Sequence, residues 1–148
     1  MHDYPALARQ LDGSGEETCW FPPASRQEVI TLETLLDLRF PDDLIKFLMT
    51  CGGGGVVESA IGGIADDDAS IAIGGTIHYN TVYCRAEFQL PSHLAVIYLH
   101  DDEVCWAVDC HSAGGGAVVS YNVFQRRIEN TLANSFFMFF KEYVELRC

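Results

Sequence analysis

The sequence predicts an α+β fold: a single domain with a mostly antiparallel sheet, two N-terminal helices, a middle helix, and a C-terminal aromatic-rich helix packed on the sheet. Three observations predict it. A closely spaced pair of helix signatures lies between Ser25 and Gly55. Two β-rich runs, Leu94–Leu99 and Val104–Val108, flank an acidic turn. Phe136, Phe137, Phe139 and Phe140 crowd one apolar stretch near the end of the chain. With 148 residues, 49% apolar and 20% charged, the chain is long enough to bury a core of its own. Residues 1–148 read as one domain with its core from about 25 to 146, since no repeat or long linker divides them.

The organising stretch is Phe40–Gly55. Pro41 suits a first helical turn, because its φ is already helical and the N–H it lacks would have no partner there. Asp42 and Asp43 place negative charge at the positive end of the helix dipole. Leu44, Ile45, Phe47 and Leu48 form an apolar stripe at spacings of three and four. Gly52 ends the helix in the left-handed conformation, and Gly53–Gly55 prevent regrowth. Upstream, Ser25-Arg26-Gln27-Glu28 is a capping box, in which Ser25 bonds the Glu28 N–H and Glu28 reaches back to the Ser25 N–H. The helix that follows ends near Asp37 or Leu38. Nearer the N-terminus, Ala6–Leu11 reads as a short helix, and Trp20 and Phe21 tuck against the core.

After Gly55 the pattern changes. Val56-Val57 and Ser70–Ile73 are strand candidates, Ala60–Ile64 is apolar but broken by glycine, and Asp66-Asp67-Asp68 marks an exposed turn. Tyr79–Phe88 predicts a helix whose inner face carries Val82, Tyr83 and Ala86, with Leu90 beyond, and whose wet side carries Arg85 and Glu87. In the hairpin, a two-residue loop at Asp101-Asp102 sets 99 opposite 104 and 97 opposite 106. Ala95, Ile97, Leu99, Val104, Trp106 and Val108 then share the core face. Val96, Tyr98, Cys105 and Ala107 share the other face, which is too apolar to be left in water. Gly114–Gly116 returns the chain into a strand at Ala117–Tyr121. Asn130–Leu146 predicts the last helix, capped by Asn130 or Thr131, with Leu132, Phe136, Phe139, Phe140 and Tyr143 along one side.

The net charge of −12 argues against nucleic-acid or anionic-membrane partners, which this surface would repel. It suits a basic partner or simple solubility. No apolar run approaches the ~20 residues needed to cross a bilayer. The start of the chain lacks a basic segment followed by an apolar one, so no secretory signal is expected and the expected location is cytoplasmic. The six cysteines include no Cys-x-x-Cys pair, and reduced, mostly buried thiols are expected.

The same motifs carry a resemblance. Pro41, Leu44, Phe47, Leu48, Gly52 and Gly53 stand in the Pro–helix–Gly-Gly pattern of the SUKH superfamily (the Smi/Knr-type domains of a yeast cell-wall regulator and of bacterial toxin-immunity proteins), with Phe40 where leucine is common. Leu90-Pro91, Ile97-Tyr98-Leu99, Ala107-Val108-Asp109 and Ala133-Asn134-Ser135-Phe136 hold its later positions. The resemblance therefore runs from about Ser25 to about Val144. One departure is the hairpin turn, often glycine-containing in that family but His100-Asp101-Asp102-Glu103 here. Aspartate accepts positive φ less readily than glycine or asparagine, which leaves the register open.

Candidate chemistry is sparse. Gly52–Gly55 and Gly114–Gly116 lack the lysine and the strand–loop–helix frame of a phosphate loop. Asp66-Asp67-Asp68 lacks the alternate spacing of a calcium loop. His100, Asp101, Asp102, Asp109, Cys110 and His111 lie at opposite ends of a hairpin, and His93 with Asp109 makes only two ligands, so no metal site is expected. No nucleophile elbow or Cys–His arrangement is present. The expectation is therefore no enzyme, no cofactor and no metal. The SUKH resemblance implies a protein-binding module of the immunity type, which binds and neutralises a cognate toxin, possible basic nucleases included. A regulatory scaffold of the yeast type is the alternative, and a small-molecule or metal-dependent enzyme the remote second. The expected partner face comprises Asp66, Asp67, Asp68, Asp101, Asp102 and Glu103, with Tyr79, Tyr83 and Tyr98 as aromatic anchors.

Overall fold

The computed structural model describes residues 3–111 and 116–148. Among them the order is α1 (Tyr4–Asp12), β1 (Thr18–Trp20), α2 (Arg26–Leu36), α3 (Asp42–Cys51), β2 (Gly54–Val56), α4 (Ile77–Phe88), β3 (Leu94–His100), β4 (Val104–Asp109), β5 (Val118–Asn122), β6 (Arg127–Ala133) and α5 (Phe136–Glu145). Short 3-10 turns occupy Val57–Ser59 and Ala65–Asp67. This is the predicted α+β class, with antiparallel sheets and an aromatic C-terminal helix.

Helix α3 follows its signals: Pro41 is the N-cap, Asp42 and Asp43 fill the first turn, and Gly52 closes it at φ 73°. Phe47 is fully buried, with its ring centroid 5.9 Å from Tyr4, 4.9 Å from Phe136 and 5.0 Å from Phe140. These rings join α1, α3 and α5, so the packed core begins at Tyr4 rather than near residue 25. The glycines after α3 also do more than prevent regrowth. They form β2, which pairs with β1, Gly55 opposite Cys19. A Cβ on Gly53 would lie 2.7 Å from the Gly63 Cα, and one on Gly55 would lie 2.6 Å from the Tyr143 hydroxyl. That hydroxyl accepts the Val56 N–H and donates to the Ser59 carbonyl, each at 2.9 Å, which ties α5 to β2.

Half of the predicted capping box forms. Ser25 Oγ accepts the Glu28 N–H at 3.3 Å. The Ser25 N–H donates instead to Asp67 Oδ1 at 2.7 Å, and Glu28 Oε1 accepts the Ala69 N–H at 2.8 Å. A distant loop thus takes over the reciprocal bond. The helix ends at Leu36, with Asp37 left-handed at φ 54°.

The main sheet has the order β3-β4-β5-β6, antiparallel throughout. On one face Ala95, Ile97, Val108 and Val118 join the core built by α1, α2, α3 and α5. On the other, Val96, Cys105, Ala107, Val119 and Tyr121 pack with Cys84 of α4. The hairpin register corrects the expected one: His100 faces Val104, Leu99 faces Cys105 and Tyr98 faces Trp106, with a bulge between Val96 and Tyr98. One extra residue moves everything after it to the opposite face. Tyr98 therefore packs on Trp106, with centroids 4.6 Å apart, and Leu99 joins the α4 side. The turn adopts positive φ at Asp101 (51°) and Asp102 (54°), without glycine.

Helix α4 turns a different face inward from the one expected. Ile77, Asn80, Thr81 and Cys84 are buried, whereas Val82 is 47% exposed. Arg85 is half-buried, its Nη2 donating to the Ser92 carbonyl at 3.0 Å. The polar inner face has a purpose: Thr81 Oγ1 accepts the Val96 N–H at 2.9 Å, and the Gly62 N–H donates to the Ile97 carbonyl. Two backbone groups on the outer edge of β3 are thereby satisfied.

Two further expectations are corrected. Ser70–Ile73 forms no strand, and Ile73 is 55% exposed. Residues 127–133 belong to β6 rather than to the last helix, which starts at Phe136 with Ser135 Oγ accepting the Met138 N–H at 3.2 Å. Neither Asn130 nor Thr131 caps it, and Leu132 lies in the strand. β6 is largely exposed and pairs with β5 through two shifts that leave Leu132 and Glu129 as extra residues. Of the expected return at Gly114–Gly116, Gly114 and Gly115 lie outside the described residues.

Candidate protein-binding face

Helix α4 positions the most developed surface among the described residues. Thr76 starts it, its Oγ1 accepting the Tyr79 N–H at 3.1 Å and donating to the Ile73 carbonyl at 2.8 Å. Gln89 ends it in the left-handed conformation. Tyr79 and Tyr83 are one turn apart and stack, with centroids 5.6 Å apart and planes 9° from parallel. The Tyr83 hydroxyl donates to Asp102 Oδ2 at 2.8 Å. That bond pushes the phenol pKa up to about 12, because the proton is held by a carboxylate. Phe88 packs edge-on against Tyr83 at 5.8 Å. The result is a fixed line of Tyr79, Tyr83 and Asp102, with Val82 exposed beside it and Ile73 exposed in the turn leading into the helix.

The other expected site residues divide between the rim of this line and other parts of the fold. Asp101 and Glu103 flank Asp102 at the exposed hairpin tip, where Asp101 lies 3.1 Å from His100 Nε2. Asp67 is occupied as the acceptor at the start of α2. The Asp68 carboxyl is held below its usual range by the Ser70 hydroxyl and N–H. Asp66 stays exposed at φ 52°. Among the described residues no hydrogen bond, ion pair or ring contact joins Asp66–Asp68 to the tyrosine line. Tyr98 lies on the opposite face of the sheet with Trp106. Sequence reasoning missed Val82, which it placed in the core, and the β5–β6 turn, where Phe124 is 75% exposed beside Arg126 and Arg127. Asn122 just before that turn and a pair of arginines in so acidic a chain were the available signals.

Among the described residues no three His, Cys, Asp or Glu side chains are grouped to hold a metal ion. All six cysteines are free; Cys51, Cys84 and Cys105 are buried, Cys19 and Cys148 exposed, and Cys110 lies between. Burial pushes the Cys51 thiol up to about 11 and that of Cys110 to about 12, which leaves both poor nucleophiles at neutral pH. A hollow of about 780 Å³ between α2 and α3 is open, and its Glu33 carboxylate is already taken by the Phe40 N–H at 2.7 Å. No described helix is long and apolar enough to cross a membrane. A family model described as SMI1-KNR4 cell-wall (SUKH_5) matches residues 7–145. No curated protein matches the sequence.

Proposed function

Since the chain belongs to the SMI1-KNR4 cell-wall family of the SUKH superfamily, we propose that it is a non-catalytic, cytoplasmic protein-binding module of the immunity type, which captures and neutralises a cognate toxin domain with a basic surface. The observation that carries this reading is the line of Tyr79, Tyr83 and Asp102. Stacking and a hydrogen bond to a carboxylate pre-order two aromatic anchors on a helix, so little side-chain entropy remains to be lost on docking. The carboxylates at Asp101, Asp102 and Glu103 rim the anchors, and the −12 charge attracts a cationic partner from a distance. The same face would serve a regulatory scaffold, the reading that the family's cell-wall description favours.

Association kinetics with the toxin encoded beside this protein test the proposal. Asp101→Lys with Asp102→Lys should slow association about tenfold or more at low salt. The loss should shrink near 1 M salt, where the Debye length is ~3 Å. Tyr79→Ala should instead speed dissociation. Parental rates for both variants at low salt would place the contact elsewhere, and absence of binding by the parent would leave the scaffold reading in its place.

A further inference from the structure

The β5–β6 turn departs from the rest of this acidic surface. Phe124 is 75% exposed, yet its backbone is held tightly. Asn122 Oδ1 accepts the N–H groups of Phe124 (3.0 Å) and Gln125 (2.8 Å). The Asn122 carbonyl accepts the Arg126 N–H at 2.7 Å, and Asn122 Nδ2 donates to Glu129 Oε2 at 2.7 Å. Arg126 sits at φ 57°, and Val123 beneath the turn is buried. The ring is therefore presented by a rigid tip rather than left out by a loose one. Phenylalanine with two arginines is also the composition of an interface anchor. Among the described residues neither guanidinium makes an ion pair.

Topology puts this tip beside the tyrosine face. β5 is antiparallel to β4, so it runs parallel to β3. The β3–β4 tip at Asp101–Glu103 and the β5–β6 tip at Phe124–Arg127 hence project from the same end of the sheet, roughly two strand spacings or ~10 Å apart. One end of the molecule therefore carries an acidic, tyrosine-bearing patch and a basic, phenylalanine-bearing one side by side. Such a surface is complementary to a copy of itself turned through 180°.

We propose that this end is a two-fold interface: Phe124, Arg126 and Arg127 of one copy dock on Tyr79, Val82 and Asp101–Asp102 of a second copy, and the reverse contact forms at the same time. Both contacts close on each other, so association stops at a dimer. Charge selects this occupant, because a polyanion that would accept the arginines is repelled by the remainder of the surface. The dimer covers the face that the proposed function assigns to the toxin, so the two compete. The dimer itself requires no toxin, and it stands or falls independently of that reading.

Sedimentation of the purified chain alone, with protein up to about 1 mM, is the test. The parent should show a monomer–dimer equilibrium that weakens as salt rises. Phe124→Ser should raise the dissociation constant at least ~30-fold, the scale of an anchor residue. Arg126→Glu with Arg127→Glu should give a monomer, and so should Asp101→Lys with Asp102→Lys. Mixed in equal amounts, these two charge-swapped variants should form a heterodimer, because each reversed tip then meets a reversed loop while the unchanged pair still matches. A parent that stays monomeric at every concentration, variants that dimerise like the parent, or a mixture that stays monomeric would each overturn the proposal.

Discussion

Asp67→Ala separates a helix cap from a recognition residue. Asp67 Oδ1 takes the Ser25 N–H at 2.7 Å, at the residue that caps α2. Losing an acceptor of this kind costs about 0.5–2 kcal/mol. Removing a negative charge from a helix N-terminus costs ~0.3–1 kcal/mol more. Asp67 also sits at φ 51°, where alanine is strained by about 1 kcal/mol relative to a residue that tolerates this region. The total is about 2–4 kcal/mol. With a urea dependence of about 2 kcal/mol per molar, the unfolding midpoint should fall by about 1–2 M. Asp67→Asn keeps the acceptor and suits positive φ, losing only the charge, so its midpoint should move by less than about 0.5 M. Asp66→Asn, exposed at φ 52° with no bond to α2, should be neutral. If Asp67→Ala unfolds at the parental midpoint, the bond to Ser25 contributes nothing and Asp67 is available to a partner.

Three other outcomes are expected. Phe47→Ala removes a ring packed on Tyr4, Phe136 and Phe140; it should cost ~3–5 kcal/mol and lower the urea midpoint by about 2 M, and an unchanged midpoint would mean that α3 is not central to the core. Thiol labelling of the native protein should be fast only at Cys19 and Cys148 and should reach all six cysteines on unfolding without reductant; fewer than six would reveal a disulfide. The raised Tyr83 pKa favours the protonated phenol in the folded chain, so the Asp102 bond contributes below the ordinary value near 10 and is lost as pH rises through about 12. Asp102→Asn should move the phenolate absorbance of Tyr83, isolated by difference from Tyr83→Phe, toward its ordinary midpoint; an unmoved midpoint would show that the bond is absent in solution.

The sequence was legible where one short segment settles its own structure. Pro41, the aspartates after it and Gly52 fix the ends of α3 without help, and Ser25 starts α2 in the same way. It was misleading where a distant segment decides. Glu28 had a plausible local partner but is claimed by Ala69, and Ser25 by Asp67. Val82, Tyr83 and Ala86 read as the inner face of α4, yet Asn80 and Thr81 are the buried positions, Thr81 serves the edge of β3, and Val82 faces outward. Strand β6 offered a polar run without alternation, and its two extra residues erased what period remained. At the candidate face, Tyr79 and Tyr83 were readable as an i, i+4 pair. Tyr98 was not, because a single-residue bulge chose its side.

The edges of the main sheet carry a consequence for behaviour in a crowded solution. One edge, β3, has bonds from Thr81 and Gly62. The other, β6, is bent by its extra residues and carries Arg127 and Glu129. An incoming extended chain finds the row of amides and carbonyls interrupted on both sides. Templated addition of strands, the first step toward a fibril, is therefore obstructed at both ends of the strand order. The protein should tolerate high expression without seeding insoluble material, and straightening β6 by deleting Glu129 and Leu132 should remove that tolerance while leaving the helices intact.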